Sequence, residues 1–256
     1  MATKKKTKIK PKKKVFLLIV EGKSDEKALK PIISELMNDQ VLFKTVGCDL
    51  SSNDGKGYKN KTLVELIKIE LTKFLLENRG ITEKDIEKIV VISDTDGCYI
   101  PDESVFSSEK EELRYEDDGI YTSDVEGIRK RNKFKSKKLE PVIKGEMLGD
   151  IPLEIYYFSC NLDHVIHGER NMDSSKKVSS AEDFSDLYDG EEEKFVEFVD
   201  EFGVEKKFND SWKFIKKDLN SLMRYSNMNV FFINNLRYFN DVAKVVIEKC
   251  MRESEN

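Results

Sequence analysis

Val15-Phe16-Leu17-Leu18-Ile19-Val20, followed at once by Glu21-Gly22-Lys23-Ser24-Asp25, is the stretch on which the fold turns. Six apolar, mostly β-favouring residues without polar alternation predict a parallel strand covered by helices on both faces, because a half-exposed strand would alternate. Gly22 is expected to allow a tight turn, and Ser24 or Asp25 to cap a helix through Ala28, Leu29, Ile32, Ile33 and Leu36. The order is therefore strand, acidic turn, helix.

The same grammar repeats outward. Val41 to Val46 reads as a second strand, followed by a loop rich in Gly, Asn, Asp and Ser from Gly47 to Tyr58. An amphipathic helix follows, with Leu63, Leu66, Ile67, Leu71 and Phe74 on one face. A polar helix at Glu83 to Lys88 is expected to lead into a buried strand at Ile89 to Ile92, which ends at Ser93-Asp94-Thr95-Asp96-Gly97. Residues 99 to 128 are acidic and weakly patterned and read as an insertion. A fourth strand is expected at Leu153 to Phe158. From about residue 190 the pattern turns helical, with the aromatic stripe Phe231, Phe232, Tyr238 and Phe239 read as helical core. These alternations predict an α/β fold with a mostly parallel sheet flanked by helices over residues 15–170, and a small helical C-terminal extension over 171–256.

Composition narrows the chemistry. The 256 residues are 39% hydrophobic and 36% charged, and no apolar run reaches the length of a membrane span, so no membrane partner is expected and the chain reads as cytoplasmic. Four cysteines (Cys48, Cys98, Cys160, Cys250) lie 50, 62 and 90 residues apart, which offers neither a CxxC zinc pair nor a dense disulfide framework; they read as reduced thiols. The only histidines are His164 and His167. Acid chemistry must come from carboxylates. The net charge of −5 conceals eight lysines and no acid in residues 1–14, leaving about −13 on the rest. Residues 1–14 are expected to be a disordered basic tail, able to act as a sequence-blind tether to phosphate backbones.

In an open parallel sheet, groups at the carboxyl ends of strands meet across a crevice. Glu21 and Asp94 are both expected there. Asp94 and Asp96 are two apart, so a continuing strand would project both on one face. Several carboxylates at one spot repel one another unless a cation neutralises them, and hard oxygen ligands suit Mg²⁺ or Mn²⁺.

These two motifs resemble the TOPRIM domain shared by topoisomerases, bacterial primases, OLD-type nucleases and small ribosomal-RNA maturation nucleases. Glu21-Gly22-Lys23-Ser24-Asp25 after an apolar strand is similar to the family's E-G-x-x-D, and Asp94-Thr95-Asp96 after a later strand to its D-x-D, over roughly residues 14–165. The resemblance implies a TOPRIM-like, Rossmann-like fold with Glu21 as general acid or base and Asp94 and Asp96 as metal ligands. It also implies Asp25 at a second metal and Asp163, after the fourth strand, as a weaker further ligand. No tyrosine-bearing second domain and no zinc ribbon accompany the motifs. The nearest relatives in kind are then OLD-type or phage-defence nucleases, which implies Mg²⁺-dependent endonuclease or nickase activity and leaves an ATPase or other protein partner open.

Rival readings use the same residues. Gly22-Lys23-Ser24 imitates the end of a P-loop, but Leu17 stands where that motif needs glycine. Asp94-Thr95-Asp96-Gly97 also resembles the first motif of haloacid-dehalogenase-like phosphatases, a reading that leaves Glu21-Gly22 without a role. A non-catalytic TOPRIM-fold binding or sensor subunit is the third reading. Finally, Arg129, Lys130, Arg131, Lys133, Lys135, Lys137 and Lys138, with Phe134 among them, read as a nucleic-acid surface together with Lys23; the plainer reading is a solvated face.

Overall fold

A computed structural model of the chain describes residues 14–37, 41–47, 49–51, 60–110 and 112–253. The basic tail, apart from Lys14, and most of the loop between Gly47 and Tyr58 lie outside the described residues, as does Cys48.

The elements run β1 (Val15–Val20), α1 (Lys23–Leu36), β2 (Val41–Thr45), α2 (Leu63–Glu77), β3 (Ile86–Asp94), β4 (Val105–Ser107), β5 (Arg114–Tyr115), β6 (Ile120–Thr122), α3 (Val125–Ile143), β7 (Met147–Leu148) and β8 (Ile151–Phe158). The helices α4 (Leu162–His167), α5 (Lys177–Asp186), α6 (Lys194–Glu201), α7 (Phe208–Ile215), α8 (Met228–Asn234) and α9 (Asp241–Glu253) complete the chain. The fold is α/β, with a five-stranded sheet in the order β2-β1-β3-β8-β7, parallel except for the two-residue edge strand β7.

The absence of alternation in β1 has a simple cause. Phe16, Leu18 and Val20 face α1, packing against Ala28, Leu29, Ile32, Ile33 and Leu36. Leu17 and Ile19 face the other layer, where α2 supplies Leu63, Leu66, Ile67 and Phe74 and α3 supplies Leu139, Val142 and Ile143. Each fully buried aliphatic side chain of this kind contributes roughly 1.5–3 kcal/mol. The sheet thus separates two cores, and a polar residue at any position from Phe16 to Val20 would be desolvated.

Three expectations need correction. The polar helix expected at Glu83 to Lys88 is a single 3₁₀ turn at Glu83–Asp85, because the Asp85 carboxylate accepts the Thr82 amide at 2.8 Å and closes the turn. Strand β3 then begins at Ile86, paired with Val15, rather than at Ile89. Gly22 has φ −127°, an extended conformation open to any residue, so the turn after β1 does not draw on glycine's freedom.

Residues 99–128 hold a small sheet of their own, β4-β6-β5. Its core of Ile100, Val105 and Ile120 docks on Cys160 and Leu222 of the main body. The basic stretch 129–138 lies inside α3. The C-terminal helices are not confined to one side. Phe184, Phe195, Val199, Phe231, Phe232 and Phe239 pack on the α1 face. Trp212 of α7 reaches the opposite face, edge-on to Tyr157 with ring centroids 4.9 Å apart. Among the described residues no helix is long and apolar enough to cross a membrane.

The chain leaves β1 toward β2 on one side, then crosses to β3 and β8 on the other. The reversal of direction lies between β1 and β3, where the loops after the two strands diverge and leave a crevice.

Candidate functional site

Glu21 and Asp94 stand at the mouth of that crevice. Ile19 pairs with Val91, and continuing the register brings Glu21 level with Ser93. Ser93 Oγ donates to Glu21 Oε1 at 2.7 Å. Burial, reinforced by the charge of Asp49 and then by Asp94 and Asp96, holds the Glu21 carboxyl well above the usual range, although Lys135 opposes the shift. Asp94 is raised in the same way, by burial first and then by Asp25 and Asp96. Its Oδ1 accepts the Leu162 amide at 2.9 Å.

Asp94 and Asp96 do not share a strand face. The strand ends at Asp94, and Asp96 and Gly97 take left-handed φ values of 48° and 65°, so the chain turns between the two aspartates. A hydrogen-bond frame fixes the turn: the Thr95 amide donates to Phe158 O, the Asp96 amide to Cys160 O, and Thr95 Oγ1 to Ser221 O. Asp94 consequently looks toward α1 and α4. Asp96 looks toward α3, where Lys135 Nζ lies 2.5 Å from its Oδ2.

Two carboxylate groups result. On the α3 side, Lys135 is buried with no side-chain exposure and bridges Asp96 to Asp49 Oδ2, 2.7 Å away in the loop after β2. Burial alone would raise Asp49, but the attraction and hydrogen bond of Lys135 and the Ser51 contacts pull it down to about 2. Burial would also strip Lys135 of its proton, yet Asp49, Asp96 and Glu21 hold it well above the ordinary lysine value. The Tyr115 hydroxyl reaches Asp96 Oδ1 at 3.3 Å, and the Arg131 guanidinium donates to Tyr115 and to the Asp96 carbonyl.

On the α4 side, Asp25 accepts the Gly22 amide at 2.8 Å as the capping group of α1. Burial and the nearby Asp163 push its carboxyl up to about 6, against the pull of the Gly22 amide and Lys177. Asp163 lies in the first turn of α4, which Asn161 caps, and pairs with Lys177 Nζ at 2.7 Å. An open cleft of about 630 Å³ leads to Asp94 and Asp96, lined by Arg114 and Tyr115 of the small sheet and by Arg170 and Lys177.

Glu21, Asp25, Asp94, Asp96 and Asp163 therefore gather at one edge of the sheet, as the carboxyl-end rule demands. The basic stretch is split by the helix instead. Lys130 and Lys133 are exposed on α3, as is Lys23 on α1. Arg129 is engaged by the Asp102 carbonyl and Glu126. Arg131 and Lys135 turn inward; Lys135, read as a phosphate-binding surface lysine, is instead a buried partner of two carboxylates, because it lies on the face that carries Leu139 and Val142. Asp49 and Lys177 were not singled out from sequence. The signal for Asp49 is its position just past a parallel strand's carboxyl end; that for Lys135 is spacing of four and seven to buried residues.

Carboxylate oxygens suit a hard divalent cation, and the Glu21, Asp25 and Asp94 carboxyls are raised by burial first and by mutual charge second. Among the described residues no group of three or more His, Cys, Asp or Glu side chains is placed to hold a metal ion. His164 is buried with its Nδ1 unpartnered, held neutral down to about pH 4 by burial and by Arg170 and Arg224. Cys98 and Cys160 are buried free thiols, and Cys250 is buried. No family model matches the chain, and neither curated proteins nor solved structures give a match.

Proposed function

We propose that the chain is a Mg²⁺- or Mn²⁺-dependent nucleic-acid phosphodiesterase of TOPRIM type, an endonuclease or nickase. The observation that carries this reading is the meeting of Glu21 with Asp94 and Asp96, 73 and 75 positions further along the chain, at the switch point of a parallel sheet, where burial and mutual charge raise the Glu21 and Asp94 carboxyls. Glu21, Asp25, Asp94, Asp96 and Asp163 would hold the divalent cation, which when bound supplies positive charge for a phosphodiester oxygen and for the attacking water.

The remaining work falls to the chain itself. Ser93 Oγ holds Glu21 Oε1, which leaves Oε2 to take the proton of the water. With the cluster's charge neutralised, the Glu21 carboxyl would fall from its raised value and ionise, so Glu21 would be ready to accept the proton only when the divalent ion is held. Arg114 and Arg170 line the cleft, paired with the acids Glu116 and Asp117, which a phosphate backbone would have to replace to take their guanidinium groups. A phosphatase using Asp94 as nucleophile gives Glu21 no task. The non-catalytic binding reading draws support from one feature, the two lysines already seated among the acids.

The test is incubation with circular DNA and folded RNA in Mg²⁺, Mn²⁺ or EDTA, beside Glu21→Ala and Asp94→Ala. Strand scission that requires the metal and fails in both variants is the expected result. Identical behaviour of all three proteins on every substrate would support the binding reading, and small phosphate-ester hydrolysis surviving Glu21→Ala would support the phosphatase.

A further inference from the structure

Three lysines of α3 have no task in the acidic site. Lys130, Lys133 and Lys137 are exposed, and their spacing of three and four places them in one row along the outer side of the helix. Between Glu126 and Glu140 the helix carries no acid, and those two are engaged, Glu126 by Arg129 and Glu140 by Lys144 and Lys216. Among the described residues no acid pairs with Lys130, Lys133 or Lys137, whereas the exposed Lys30, Lys194 and Lys213 each pair with an acid three or four residues away. Like charges at this spacing repel one another, so the row is unfavourable until an anion meets it. The other side of the same helix reaches the site: Lys135 meets Asp96, and Arg131 donates to the Tyr115 hydroxyl and the Asp96 carbonyl. The row therefore stands about one helix diameter, roughly 10 Å, from the acids.

We infer that Lys130, Lys133 and Lys137 form a rail for the phosphate backbone of a double-stranded nucleic acid, holding the duplex beside the acidic site. The inference rests on the phosphodiesterase reading above and deepens it by naming the form of the substrate. Ammonium groups on flexible stems meet phosphates as point charges, and such contacts carry no sequence information. From Lys130 to Lys137 the helix rises about 10 Å, and a duplex strand presents a phosphate about every 3.4 Å of its axis, so about three phosphates lie within reach of three lysines. Single strands are held by aromatic platforms as well as by charge, and the row offers none. Phe134, the one aromatic ring of the stretch, is half-buried, with the Lys138 ammonium 5.1 Å over its centre. Charge without a free stacking surface fits a paired backbone.

The salt dependence of binding tests this before any cleavage site is known. The full chain is titrated in EDTA, by fluorescence anisotropy, against labelled DNA duplex, RNA duplex and single-stranded DNA of arbitrary sequence over a series of sodium chloride concentrations. Each lysine that meets a phosphate contributes about 0.9 to the slope of log affinity against log salt. Lys130→Gln, Lys133→Gln and Lys137→Gln should each lower the duplex slope by about that amount, and the triple variant by about 2.7, at unchanged melting temperature. The duplex that shows the loss, DNA or RNA, names the substrate. A control carrying Lys30→Gln, Lys194→Gln and Lys213→Gln removes the same charge from other helices and should keep nearly the wild-type slope, and the lysines of residues 1–14 are common to every variant. No duplex binding by wild type, a wild-type slope in the triple variant, an equal loss in the control, or a loss on the single strand alone would overturn the inference. Polyglutamate that displaces the duplex as well as unlabelled duplex does would point to an acidic protein and overturn it too. Unchanged slopes beside Mg²⁺-dependent cleavage by wild type would leave the phosphodiesterase reading standing; lowered slopes with no cleavage in any metal would remove that reading and leave the rail.

Discussion

Lys135 Nζ lies 2.5 Å from Asp96 Oδ2 while none of the lysine side chain reaches solvent, so one side of the acidic cluster is neutralised by the fold itself. Removing one member of a buried charge pair leaves the other uncompensated, typically at about 3–5 kcal/mol. Metal-free Lys135→Ala should therefore lose about that much stability in urea denaturation. A loss no larger than that of an exposed lysine on the same helix, such as Lys133→Ala, would mean that Asp49 and Asp96 are not held apart by this charge.

The protonation pattern has a definite sign. Asp25, raised to about 6, and Glu21 and Asp94, also raised, bind protons more tightly in the folded than in the unfolded chain. Their contribution is complete below the ordinary carboxylate value near pH 4 and is lost as pH rises through the folded value, about 6 for Asp25. Asp49, pulled down to about 2, acts in reverse: its contribution is present above about pH 4 and is lost as pH falls toward 2. Calorimetric melting in EDTA should show a maximum near pH 4–5 and a decline toward pH 8, which Mg²⁺ relieves. A flat profile that Mg²⁺ leaves unchanged would contradict the site's electrostatics.

Gly97 has φ +65°, and a Cβ there would fall 2.6 Å from Leu222 Cδ2. Gly97→Ala must strain the turn that aims Asp96 and push Leu222 out of the small-sheet core. A cost of about 1–3 kcal/mol is expected, with weaker Mn²⁺ binding alongside. A neutral substitution would show that the turn has slack.

The C-terminal helices belong to the main core rather than to an appendage. Trp212 packs on Tyr157 and is almost wholly buried. Trp212→Ala should cost about 3–5 kcal/mol in a single cooperative transition. A separate, earlier transition for the C-terminal region would contradict this packing.

How much of this was legible varies with how local the cause is. The apolar run Val15 to Val20 announced a strand covered on both faces, and the acids that follow β1 and β3 fell at one edge because parallel strands leave them no other place. The relation of Asp94 to Asp96 was misjudged, since the pleat that would align them ends at Asp94 and a left-handed turn intervenes. Lys135 was hidden by its neighbours: seven bases in ten residues look like one surface, while the helix turns three of them, Arg131, Lys135 and Lys138, inward. Asp49 meets Lys135 across 86 positions, and its one local signal, a place just past the carboxyl end of β2, does not say which distant residue it will meet. The strand start at Ile86 was missed because Glu87 and Lys88 look helical until Ile86 pairs with Val15.

The most direct test of the central claim is the rate at which Glu21→Gln cleaves an end-labelled nucleic acid that wild type cleaves in saturating Mg²⁺, with melting temperatures measured on the same samples. A general base contributes on the order of 10²–10⁴-fold. The substitution should therefore slow cleavage by about that factor while the melting temperature, compared in EDTA, stays level or rises, because a buried and repelled carboxyl has been removed. Cleavage at the wild-type rate would contradict the assignment of Glu21, and with it the account of the acidic cluster as a phosphodiester-hydrolysing centre.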